Sequence, residues 1–95
     1  MDILVWLQEW YKSQCDGDWE HLYGVKIDNI DNPGWSVIID LLDTNVEFKE
    51  FKKIFIDHGD DSWITCFIRD GKFHGVGDSN RLLEILTIFR DWVES

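Results

Sequence analysis

Trp63-Ile64-Thr65-Cys66-Phe67-Ile68-Arg69-Asp70-Gly71-Lys72-Phe73-His74-Gly75-Val76 is the stretch that decides the fold. A run rich in β-branched and aromatic residues meets Asp70-Gly71, the dipeptide favoured at the centre of a type I′ turn, and a second apolar run follows at once. The type I′ turn has the twist that antiparallel strands need, so residues 63–69 and 72–76 are expected to form a hairpin. Upstream, Tyr23, Val25 and Ile27 alternate with Gly24, Lys26 and Asp28, and Trp35, Val37, Ile39 and Leu41 alternate with Ser36, Ile38, Asp40 and Leu42. This period of two marks two further strands. Between them, Asp31-Asn32-Pro33-Gly34 offers Pro and Gly for the central positions of a type II turn, giving a first hairpin. Ile38 and Leu42 make the alternate face of its second strand apolar as well, as in a central strand covered on both sides.

The ends of the chain have helical spacing. Ile3, Trp6, Leu7, Trp10 and Gln14 line one face of residues 2–14, with Asp2 placed as N-cap and a stop expected near Cys15-Asp16-Gly17. At the other end, Gly75-Val76-Gly77 is expected to release the chain into Asp78, the N-cap of a helix carrying Leu82, Leu83, Ile85, Leu86, Ile88, Phe89, Trp92 and Val93. Residues 46–57 fit neither period, and a strand over about 52–57 is expected after an irregular segment. The sum is one α+β domain over residues 1–95. Its antiparallel sheet has four to five strands in two hairpins, flanked by N-terminal and C-terminal helices packed on one face.

The 95 residues carry a formal charge of −10 and a pI near 4.4. Nucleic acid and anionic membrane surfaces would be repelled, and a basic partner is the natural complement. The excess is local: residues 1–47 hold ten Asp/Glu against two Lys, and residues 48–95 hold nine against seven Lys/Arg. The N-terminus lacks a basic region before its short apolar run, so neither an export signal nor a membrane span is read, and a cytoplasmic location is expected. Cys15 and Cys66 are too few for a disulfide framework. Asp16 and Asp18 beside Cys15 disfavour a thiolate, and Cys66 reads as a small core residue.

Cys15-Asp16-Gly17-Asp18-Trp19-Glu20-His21 concentrates the polar chemistry. Asp16, Asp18 and Glu20 alternate as the first calcium ligands of an EF-hand do, but His21 stands where Gly belongs and Ile27 where a bidentate Glu is required. A transition-metal site with His21 and His58 lacks the usual ligand spacing. Acid/base catalysis would pair His21 or His58 with Asp16, Asp18, Asp60 or Asp61, an arrangement that only geometry can establish. No nucleophile elbow, phosphate loop or dinucleotide fingerprint is present, and no cofactor or metal is expected. Trp6, Trp10, Trp63 and Trp92 are read as core. Trp19, lying between acids, is either a lid over the first helix or an aromatic anchor for a partner. Asp57, Asp60 and Asp61 around His58-Gly59 read as a solvated loop, itself an alternative binding surface.

Trp6-Leu7-Gln8-x-Trp10-Tyr11, the 15–25 segment and Ile30-Asp31-Asn32-Pro33-Gly34-Trp35 resemble the immunity protein 53 family of bacterial polymorphic toxin systems. The resemblance continues through Asp40-Leu41, Trp63-Ile64-x-Cys66, Asp70-Gly71-Lys72-Phe73 and the closing helix with Trp92. It implies a cytoplasmic, non-catalytic protein that binds and neutralises a cognate toxin, and a basic toxin such as a nuclease would suit the acidic charge. On this reading Asp16, Asp18, Glu20 and His21 face the toxin, Trp19 fills a pocket on it, and Asp28 and Asp31 extend the negative field. The alternative is a small enzyme or metal-binding protein using the 16–21 cluster. A purely structural reading has Asp16 and Asp18 capping turns, with His21 bridging helix and sheet.

Overall fold

The computed structural model describes residues 2–95 and has the expected α+β organisation. In chain order the elements are α1 (Ile3–Gln14), α2 (Trp19–Leu22), β1 (Val25–Ile30), β2 (Gly34–Asp40), β3 (Ile54–Asp57), β4 (Trp63–Arg69), β5 (Lys72–Asp78) and α3 (Leu82–Glu94). The five strands form one antiparallel sheet in the order β1-β2-β5-β4-β3. Asp70 (φ 55°) and Gly71 (φ 73°) both take the positive φ that a type I′ turn demands. The resulting β4–β5 hairpin pairs through β5 with β2, which makes β2 an inner strand. Asp2 caps α1 as expected, its carboxylate accepting the Leu4 N–H at 2.7 Å.

The irregular segment before β3 belongs to a crossover over residues 41–53. They carry the chain from β2 to the far edge of the sheet, with Leu41 and Val46 buried in the core and Phe51 packed against it. Phe89 joins three elements: its ring lies 5.0 Å from Trp10, 5.9 Å from Trp6 and 5.1 Å from Phe73. Such pairs contribute about 0.5–1.5 kcal/mol each beyond burial. Cys66 is fully buried, and burial first, with the charge of Glu84 second, pushes its thiol up to about 12.

The expected local geometry needs correction at four places. The 31–34 turn is not type II: the Asn32-Pro33 peptide is cis, Gly34 lacks a positive φ, and Gly34 pairs with Ile30 and Asp78 as the first residue of β2. Glycine is needed there because the Gly77 carbonyl lies where a Cβ would stand. Gly75 and Gly77 do not end β5, which runs on to Asp78. A Cβ on Gly75 would collide with Ile85, and one on Gly77 would lie 2.6 Å from Arg81 Cβ, so bare backbone lets α3 settle on the sheet.

Asp78 does not cap α3, which begins four residues later. Buried to 4% exposure, it accepts from Trp63 N–H (2.8 Å), Asn80 N–H (2.9 Å) and Arg81 Nε (3.0 Å), locking β4, β5 and the turn into α3. Trp63 is not a core residue. Ile64 and Cys66 take the inner face of β4, so alternation turns Trp63, Thr65 and Phe67 to the face without helices. No helix among the described residues is long and apolar enough to cross a membrane.

Candidate functional site

The 15–24 segment builds the acidic site. Gly17 (φ 96°) lets the chain turn back after α1. Asp16 Oδ1 then accepts the N–H groups of Asp18 (2.9 Å) and Trp19 (3.0 Å). Glu20 reaches back, accepting Asp16 N–H on Oε1 at 3.0 Å and Gly17 N–H on Oε2 at 2.9 Å. The reciprocal pattern is close kin to a capping box and fixes the entry into α2. The Trp19 and then the Asp18 amides hold the Asp16 carboxyl below its usual range. Glu20 is lowered too, by its own amide first and then by those of Asp16 and Gly17. Asp18 occupies the N-cap position without a side-chain cap bond, and His21 and Leu22 are exposed.

Trp19 lies beneath this box. It is 3% exposed, its indole N–H donates to Leu42 O at 2.9 Å, and its ring meets those of Trp10, Tyr11 and Tyr23 at 5.9–6.3 Å. The anchor offered to a partner is thus corrected to a side chain held in its own core, because the indole has both apolar neighbours and a buried acceptor there. Cys15 is half-buried, its thiol donating to Tyr11 O at 3.3 Å.

The Trp19–Leu42 bond brings up acidic residues that the sequence reading passed over. Asp43 (φ 62°) donates its N–H to Glu47 Oε1 at 3.1 Å, repeating the four-residue spacing of Asp16 and Glu20. Phe48, next to Glu47, is 91% exposed, and Leu22 is 73% exposed. The visible signals were the repeated Asp-x-x-x-Glu and a Phe that neither period could place. Asp28 and Asp31 lie elsewhere: Asp28 is exposed along β1, and Asp31 sits in the turn at its far end. Six extended residues put that turn about 20 Å away.

Four ion pairs occur among the described residues: Lys72–Asp40, Arg81–Asp78, Arg81–Glu84 and Arg90–Asp91. None uses a carboxylate at positions 16, 18, 20, 28, 31, 43 or 47; of these, Asp16, Glu20 and Glu47 accept backbone N–H groups instead. Among these same residues no three His, Cys, Asp or Glu are grouped as metal ligands. The fold and the net charge of −10 define a small acidic α+β domain.

Residues 4–94, nearly the whole chain, match the family described as Immunity protein 53. The chain belongs to that family and is an immunity protein. No curated protein and no solved structure matches it.

Proposed function

We propose that this immunity protein acts without catalysis in the cytoplasm, binding a cognate toxin of a polymorphic toxin system and blocking it stoichiometrically. The observation that carries the reading is the set of carboxylates at 16, 18, 20, 43 and 47, none of which has a cation partner among the described residues. A toxin that holds phosphates, such as a nuclease, presents the complementary basic surface. Charge complementarity of this kind raises association rates towards ~10⁸–10⁹ M⁻¹s⁻¹.

Asp16, Asp18 and Glu20 supply the field, Asp16 and Glu20 in a geometry set by their bonds to backbone amides, with His21 at the edge. Trp19 supports the platform from below, while exposed Leu22 and Phe48 serve as the apolar anchors. Asp28 and Asp31 contribute at longer range along β1. The test is titration of a candidate cognate toxin, sought in the genes beside this one. The expected result is inhibition complete near one equivalent, with affinity that falls as salt rises and a weaker salt dependence for Asp18→Asn. Protection by far less than one equivalent would refute the non-catalytic reading, and failure to bind would refute the whole.

A further inference from the structure

At the opposite end of the sheet from the Asp16–Glu20 box, a groove of about 510 Å³ opens between the β1–β2 turn and the β3–β4 loop. Its lining includes Asn32, Phe55, Asp57, Asp60, Trp63 and Thr65. The walls are firmly built. Asp57 Oδ1 accepts Gly59 N–H at 3.0 Å, His58 N–H donates to Ser62 O at 2.8 Å, and Gly59 takes the φ of 117° that the bend requires. Phe55, 69% exposed, and half-buried Trp63 are outward-facing aromatic residues on neighbouring strands. The Asp60 carboxylate and the second oxygen of Asp57 have no hydrogen-bond or ion-pair partner among the described residues.

We infer that this groove receives a long cationic side chain, arginine in preference to lysine, projecting from the protein partner. The inference rests on the reading that the chain binds a toxin and names a second contact for it. A guanidinium is flat enough to stack on an aromatic ring while its fork of N–H donors meets carboxylates. The Asn32 amide oxygen and the Thr65 hydroxyl offer further acceptors. An anion would face two carboxylates, and an apolar side chain would desolvate them without compensation. The outward face of these strands already carries a cation on its rings: Lys53 Nζ lies 6.0 Å from the Phe55 ring centroid and 5.9 Å from that of Phe67.

Isotope-labelled protein titrated with Nα-acetyl-arginine amide at millimolar concentration should give saturable amide shifts at Asn32, Gly59 and Asp60 and at the Trp63 indole. Asp60→Asn should weaken this binding at least threefold. The glutamine analogue should produce no shifts. Equal response to glutamine, or indifference to Asp60→Asn, overturns the inference. With purified toxin, Phe55→Ala and Asp60→Asn should each lower affinity about tenfold, while circular dichroism confirms that these exposed changes leave the fold intact. Toxin binding unchanged in both variants overturns the groove as a contact and leaves the proposed function standing. Toxin that ignores the wild-type chain removes the proposed function, and the amino-acid titration then decides the groove alone.

Discussion

Replacing Trp19 tests its place as the internal support of the acidic loop against direct contact with a partner. Trp19→Phe keeps an aromatic ring in a site that is 3% exposed but removes the indole N–H that lies 2.9 Å from Leu42 O. A lost hydrogen bond costs about 1 kcal/mol. The smaller ring adds about 1 kcal/mol through lost burial and an imperfectly filled space. The expected destabilisation is therefore about 2 kcal/mol for Phe, against about 3–5 kcal/mol for Ala. For a chain of this size each kcal/mol lowers Tm by about 4–8 °C, so Trp19→Ala should melt at least about 12 °C below wild type. Far-UV circular dichroism in a urea series suits the measurement, since the chain's six Trp would blur a fluorescence signal. Toxin affinity of the folded Trp19→Phe variant should fall by less than threefold. A variant as stable as wild type that binds at least tenfold more weakly would refute the burial argument and restore Trp19 as the anchor.

Gly75→Ala places a methyl against Ile85 beneath α3 and should cost about 1–3 kcal/mol, read from the same urea series; an unchanged midpoint would show that α3 does not press on the sheet there. Asp78 contributes to the acid limb of the stability profile, beside Asp16 and Glu20: the Asn80 and Trp63 amides, with Arg81, hold its carboxyl below the ordinary 3.8. A lowered folded value means that its stabilisation is present above the unfolded value and lost as pH falls through the folded one. Asp78→Asn should flatten this part of the wild-type acid transition, and an identical slope in the variant would contradict the assignment.

The fold was legible wherever one local rule dominated. Asp70-Gly71 specified both the turn and its backbone signs, and the spacing of Ile3, Leu7 and Trp10 specified a helix with an inner face. The sequence was ambiguous where two demands met in one residue. Both faces of β4 are apolar, with Trp63, Thr65 and Phe67 on one and Ile64, Cys66 and Ile68 on the other, so period alone could not say which face meets the helices. Gly75 and Gly77 carry the sign of a chain break, yet they are there for the approach of Ile85 and Arg81, a requirement set by a helix that comes later in sequence. The candidate site was legible as a composition and not as an arrangement. Asp16 and Glu20 announced acidity, but only the geometry showed them bonded to backbone amides, Trp19 turned inwards, and Asp43 and Glu47 brought alongside through Leu42.

That geometry divides the carboxylates into two kinds whose removal should have opposite effects on the free chain. Asp16 and Glu20 neutralise backbone amides that would otherwise be unsatisfied, so Asp16→Asn or Glu20→Gln weakens acceptors the loop depends on and should destabilise it. Asp18 and Asp60 hold no such amide through their side chains, and in a chain of net charge −10 they mainly repel their neighbours. Neutralising either should leave the free protein as stable as before or more stable, and the gain should shrink as salt screens the repulsion. Carboxylates that fail to stabilise the free chain are the ones whose retention calls for a partner, because function is kept at the expense of stability where a surface must remain charged. If Asp18→Asn and Asp60→Asn instead lower stability at low salt as Glu20→Gln does, the division fails, and with it the reason for assigning these two side chains to the toxin.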